Sequence, residues 1–152
     1  MKMFKRELHS EIEIESTPER VWEVLTGFAS YAEWNPFIRL IMGKLEAGEK
    51  LEVHFASGGT KEIVFRPKVL EVEGGRGFRW LGHLILPWIF DGEHIFEIAP
   101  LEGGGVRFIQ REKFNGLFVP LFWKELDSNT RSSFNEMNRA LKRRVEGKME
   151  QA

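Results

Sequence analysis

Two stretches, EHIFEIA and VRFIQREKF, hold the residues best suited to chemistry. Both alternate in polarity, and successive side chains of a strand point to opposite faces, so each stretch divides into two sets. One set is His94, Phe96 and Ile98 against Glu93, Ile95 and Glu97; the other is Val106, Phe108, Gln110, Glu112 and Phe114 against Arg107, Ile109, Arg111 and Lys113. The first set of each is the more apolar and is predicted to face inward. Three polar groups, His94, Gln110 and Glu112, go inward with it. Facing residues on adjacent antiparallel strands lie about 5 Å apart. His94 and Glu112 are therefore candidates to share a proton above an apolar pocket, which is general acid and base chemistry. The structural alternative is a set of satisfied polar groups at the sheet rim.

The other reactive residue types form no such constellation. His9, His54 and His83 fall on predicted outward faces, there is no cysteine and there is no H-E-x-x-H, so no metal site is expected. Ser10, Ser132 and Ser133 lack a G-x-S-x-G context, although Thr130 and Ser133 are placed to offer a hydroxyl to a cavity. The segments SGGT, EGGRG and LEGGG lack the Lys and the strand-to-helix setting of phosphate loops and read as hairpin turns. No redox or other cofactor motif is visible, and no cofactor is expected. The run LKRR reads as solvated charge near a helix end, and a net charge of -1 gives no reason to expect nucleic acid as a partner. No run approaches the ~20 apolar residues of a membrane span. The alternating N-terminus does not resemble a signal peptide, and the lack of cysteine is compatible with a reducing cytoplasm, the expected location.

These residues need elements to position them. Leu8 to Ile14 alternates as a half-buried strand. STPER then supplies a cap at Ser16 or Thr17 and Pro18 in the first turn of a helix that should stop near Gly27. A second short helix is predicted from Ala29 to Trp34, ended by the restriction Pro36 imposes on the residue before it. Six strands separated by turn signals follow: Ile38 to Leu45, Glu49 to Ala56, Lys61 to Glu73, Gly77 to Leu86, Gly92 to Ala99 and Val106 to Phe114. Leu51, Val53 and Phe55, with Phe78, Trp80, Gly82 and Leu84, should face inward. From Leu121 to Lys148 the chain reads as one long helix with Leu126, Thr130, Phe134, Met137, Leu141 and Val145 on its apolar stripe. The 152 residues fit a single domain, residues 1–152, with no repeat or linker. Thirteen Phe and five Trp beside one Tyr give this core many rings and few hydroxyls.

The order strand, two short helices, meander and long terminal helix resembles the helix-grip fold of the START and birch-allergen superfamily. IEIESTPERVWEVLTGFASYAEWNPFI, FDGEHIFEI and GGVRFIQREKFNGLFVPLF are similar to its polyketide cyclase/dehydrase-like branch. The resemblance implies an α+β fold in which a curved seven-stranded antiparallel sheet wraps the C-terminal helix around an apolar cavity for a hydrophobic small molecule. Phe55, Trp80, Phe96, Phe108, Phe134, Met137 and Leu141 are then candidates for affinity, and His94, Gln110, Glu112 and Thr130 for polar contacts. Trp34 and Asn35, at the corner YAEWNPFI, either brace the scaffold or edge the site. Trp88, in the apolar run LILPWIF, belongs to a lid or a self-association surface. Three readings stand: a binder of a lipid, polyketide or aromatic metabolite; a cyclase or dehydratase using His94 and Glu112; and a protein-interaction module with a collapsed cavity. A monomer or weak homodimer is expected.

Overall fold

The computed structural model describes residues 4–56, 62–83 and 90–150. Strand β1 (Phe4–Ile14) leads into helix α1 (Pro18–Thr26), whose Thr17 side chain accepts a hydrogen bond from the Arg20 amide at 3.1 Å. A 3-10 turn (Phe28–Ser30) and helix α2 (Tyr31–Trp34) complete the first connection. Seven strands follow: β2 (Ile38–Met42), β3 (Glu52–Ala56), β4 (Glu62–Phe65), β5 (Lys68–Glu73), β6 (Gly77–His83), β7 (Asp91–Pro100) and β8 (Val106–Gly116). Helix α3 (Val119–Glu125), a π-helical turn (Leu126–Thr130) and helix α4 (Arg131–Glu150) complete the described elements.

The fold is the expected α+β helix grip, but the strands number eight rather than seven and form two sheets. The main sheet runs β1-β8-β7-β6-β5 and the smaller one β2-β3-β4, all pairs antiparallel. The expected strand from Lys61 to Glu73 is interrupted at Arg66 and Pro67. Proline cannot donate to a ladder; here its carbonyl takes the Leu51 amide at 2.9 Å, while Val69 exchanges bonds with Gly48 and Glu49. Those few bonds and a Lys50–Lys68 bridge join the two sheets. The predicted strand from Ile38 to Leu45 stops at Met42, before Gly43 with φ of +119°. The start of the Lys61 strand, the inward placement of Leu84 and the LILPWIF run up to Ile89, Trp88 included, lie outside the described residues.

Register places the predicted chemical residues in rows across the main sheet. Val69, Trp80, His94, Glu112 and Leu8 are successive cross-strand partners, and Phe78, Phe96, Gln110 and Ser10 form the adjoining row. Helix α4 lies over these rows with Phe134, Met137, Leu141 and Val145 fully buried. The apolar stripe is thus the predicted one for these four residues, although the long helix carries the π-turn at its cavity end.

The corner YAEWNPFI is a scaffold in its contacts. Asn35 is buried, and its Oδ1 accepts the amides of Phe37 at 2.9 Å and Ile38 at 2.8 Å as the chain turns into β2. Tyr31 donates its hydroxyl to the Leu25 carbonyl and packs edge-on against Trp34 at 5.0 Å. Replacing Asn35 by Ala would orphan two amides, so chemical denaturation of Asn35→Ala is expected to show a loss of about 1–3 kcal/mol. An unchanged unfolding midpoint would contradict the capping role.

Candidate functional site

Between the main sheet, the small sheet and the start of α4 lies a cavity of about 570 Å³. Its apolar wall is rich in rings: Phe37, Phe55, Phe65, Trp80, Phe90 and Phe114 line it beside aliphatic residues such as Ile38, Val53 and Ile63. The sheet adds His83, His94 and Glu112, and the helical side adds Glu125, Asn129, Thr130, Ser132, Ser133 and Glu136. This helical polar edge clusters around the π-turn, where an extra residue in the turn spreads the side chains; such turns are frequent at functional sites.

His94 is the most constrained polar group. Its ring stacks on Phe96 at 4.1 Å with planes 9° apart, lies 4.8 Å from Phe134 and meets Trp80 edge-on at 5.6 Å. Its Nε2 lies 2.9 Å from Gln110 Oε1. Gln110 Nε2 in turn donates to Asn138 Oδ1 at 2.8 Å and to the Phe134 carbonyl at 3.3 Å. Asn138 Nδ2 donates to Ser10 Oγ at 2.7 Å, and Ser10 donates to Asn135 Oδ1. The direction of this chain makes Gln110 Oε1 an acceptor, so His94 must carry its proton on Nε2. The Nδ1 lone pair is left facing Glu112 Oε1 at 3.6 Å.

Burial governs the charge of this pair. Desolvation lowers the His94 pKa to about 3, the Gln110 bond opposing it only in part. Burial, with a smaller push from the Glu93 carboxylate, raises that of Glu112 to about 8. At neutral pH the favoured state is therefore an uncharged imidazole beside an uncharged carboxylic acid. The Glu112 side chain is 14% exposed, and its Oε2 has no hydrogen-bond partner. That oxygen would lie 3.3 Å from a Cβ on Gly92, so the glycine lets the acid pack close against β7.

The shift has a consequence for stability. Glu112 is protonated in the fold and ionised in the unfolded chain between pH 4.5 and about 8. The folded state binds more protons in that window, so stability falls as pH rises through it, by up to about 1.4 kcal/mol per pH unit. The groups facing the acid are His94 and Glu93, with His83, Glu125 and Glu136 elsewhere on the cavity wall. Glu112→Gln should match the wild type near pH 4.5 and become progressively more stable than it towards pH 8. Parallel pH dependences in urea unfolding would show that Glu112 ionises normally.

Of the residues expected at the site, Phe55, Trp80, His94, Glu112 and Thr130 line the cavity. Gln110 stands behind His94, and Phe134 beside it, both buried. Phe96, Phe108, Met137 and Leu141 belong to the packed core, and Trp34 and Asn35 to the corner. Trp88 is outside the described residues. His83, expected on the outer face, reaches the cavity rim and pairs with Asp91 at 2.6 Å. Asn138 and Asn135 were not singled out by the sequence. Their signal is two amides three residues apart beside an apolar stripe.

Solved structures share this architecture across nearly the whole chain. The Zhui aromatase/cyclase from Streptomyces sp. R1128 superposes with a TM-score of 0.77 at 12% identity, covering 96% of each chain. A norcoclaurine synthase point mutant from Thalictrum flavum, bound to a transition-state analogue, gives 0.74 at 14% identity over 98% of this chain and 99% of its own. A protein of unknown function from Staphylococcus aureus, SA2116, gives 0.74 at 16% identity over 98% of both chains. At these identities the likeness is one of fold. No curated protein matches the chain in sequence. The family model described as polyketide cyclase / dehydrase and lipid transport matches residues 5–146, and the chain belongs to that family.

Proposed function

We propose that the chain binds a hydrophobic small molecule, a lipid, polyketide or aromatic metabolite, in the cavity between the sheets and α4. The observation that carries this reading is that about 570 Å³ remains open amid so many rings. The volume falls within the ~300–1,000 Å³ usual for ligand pockets. At ~24 cal/mol per Å³, keeping such a volume dry and sealed would cost roughly 14 kcal/mol, as much as a whole domain's net stability. The space is thus one for water or a guest, and the aromatic wall favours an apolar guest. Nile red binding tests the reading: saturable binding to the wild type is expected, weakened at least tenfold in Thr130→Trp, which fills the cavity, with cooperative unfolding retained. Non-saturable binding, or binding indifferent to Thr130→Trp, would defeat it.

A second reading rests on the 3.6 Å between Glu112 Oε1 and His94 Nδ1. In an enolisation of cyclase or dehydratase type, Glu112 would give its proton to a substrate carbonyl while His94 takes one from the adjacent carbon. Deuterium uptake from solvent into 2-tetralone, catalysed by the wild type and lost in both Glu112→Gln and His94→Phe, is the expected sign. Uptake no faster than in buffer would remove this reading and leave the binding one intact.

A further inference from the structure

The lining of the cavity is selective in charge. Among its described residues the ionisable side chains are Glu112, Glu125, Glu136, His83 and His94, with no Lys or Arg. A carboxylate or phosphate guest would find no fixed cation and three acidic groups, so its desolvation would go uncompensated. The hydrogen-bonding requirement is narrower still. Gln110 holds His94 Nε2 as a donor, which leaves Nδ1 as the only imidazole atom available on the Glu112 side. Glu112, on the cavity wall, keeps a buried Oε2 without a partner.

One proton shared between that acid and that nitrogen leaves one donor and one acceptor, wherever it resides. With the proton on Glu112, the acid donates and Nδ1 accepts; with the proton on Nδ1, the roles exchange. A guest atom seated against both must accept from one and donate to the other. A hydroxyl does this with a single oxygen. An ether or ketone accepts only, an ammonium donates only, and a carboxylate adds charge to an acidic lining.

Resting on the binding function proposed above, we infer that the cavity selects uncharged hydrophobic alcohols or phenols. The hydroxyl is held between Glu112 and His94, giving a hydrogen bond to one and taking one from the other. Asn129 and Thr130, in the π-turn, and Ser133 after it line the helical side of the cavity, while the aromatic wall takes the apolar body.

A matched set of pyrene probes tests this with the native protein. Fluorescence titrations would compare pyrenebutanol, its methyl ether, butylpyrene, pyrenebutanoate and pyrenebutylamine. Two hydrogen bonds gained over the hydrocarbon and one over the ether predict pyrenebutanol about tenfold tighter than butylpyrene and roughly threefold tighter than the ether. Pyrenebutanoate should bind weakest. The preference for the alcohol should vanish in His94→Phe, which keeps an aromatic ring in the stack, and in Glu112→Leu. Glu112→Gln should keep part of it, because an amide still donates and accepts. Thermal unfolding of each variant separates lost preference from lost fold, and the wild-type series stands without any variant. Equal affinities for alcohol, ether and hydrocarbon overturn this inference while leaving the cavity a binding site. Tightest binding of the amine overturns it in favour of cation recognition. Failure of all five probes to bind counts against the binding function itself.

Discussion

Gly77→Ala is expected to lose more than about 4 kcal/mol of stability and to accumulate unfolded or aggregated. Gly77 is buried in β6, opposite Glu97 of β7. A Cβ built there would sit 2.1 Å from the carbonyl oxygen of Phe96, and the backbone φ is +158°. The obstacle is main chain in the neighbouring strand, so no rotamer change relieves it. Moving that carbonyl would shift Phe96, on which the His94 ring stacks, so the damage reaches the site as well. Gly74, in the preceding turn, has nothing within 4 Å of an added Cβ and serves as the control. Gly74→Ala should stay within about 0.5 kcal/mol of the wild type in urea unfolding. Similar midpoints for the two variants would show that β6 and β7 are less tightly opposed than the structure has them.

The second large effect is expected at Gln110. Its side chain accepts from His94 and donates to Asn138, so Gln110→Leu strands an imidazole N–H and an amide oxygen in the core. Leaving a buried polar group without a partner costs about 1–3 kcal/mol each, so a loss of roughly 2–6 kcal/mol follows. A shape difference alone would cost much less. The distinguishing measurement is a double-mutant cycle with His94→Phe. Gln110→Leu should cost less in the His94→Phe background, because one of the two stranded groups is then gone. Nitrogen NMR of the imidazole gives an independent readout. His94 should be a neutral Nε2–H tautomer in the wild type and lose that preference in Gln110→Leu. Additive losses and an unchanged tautomer would reduce Gln110 to a packing residue.

The inward set His94, Gln110 and Glu112 was legible because a strand has a strict period of two. Once two strands are antiparallel neighbours, polarity alone selects the face. The π-turn was not legible, because a helix period read from Leu126 to Val145 absorbs one irregular turn without breaking the stripe. Asn138, next to Met137, likewise carries no pattern that marks it as the partner completing Gln110. Pro67 carried a readable signal, since a ladder position without an N–H marks a break, and it splits one expected strand into β4 and β5. The lining by Phe37, Phe65 and Phe90 depends on how the two sheets face one another. No local pattern encodes that.

The chain of amides behind His94 does more than hold a ring. Side-chain amides neither gain nor release protons near neutral pH, so Gln110 and Asn138 pass hydrogen bonds along without passing charge. The link from His94 to Ser10 is in that sense an insulator. A proton exchanged by the His94 and Glu112 pair, both on the cavity wall, therefore does not travel through that link. The acidity of the pair is thus set by burial and by the cavity, not by the polar core behind it.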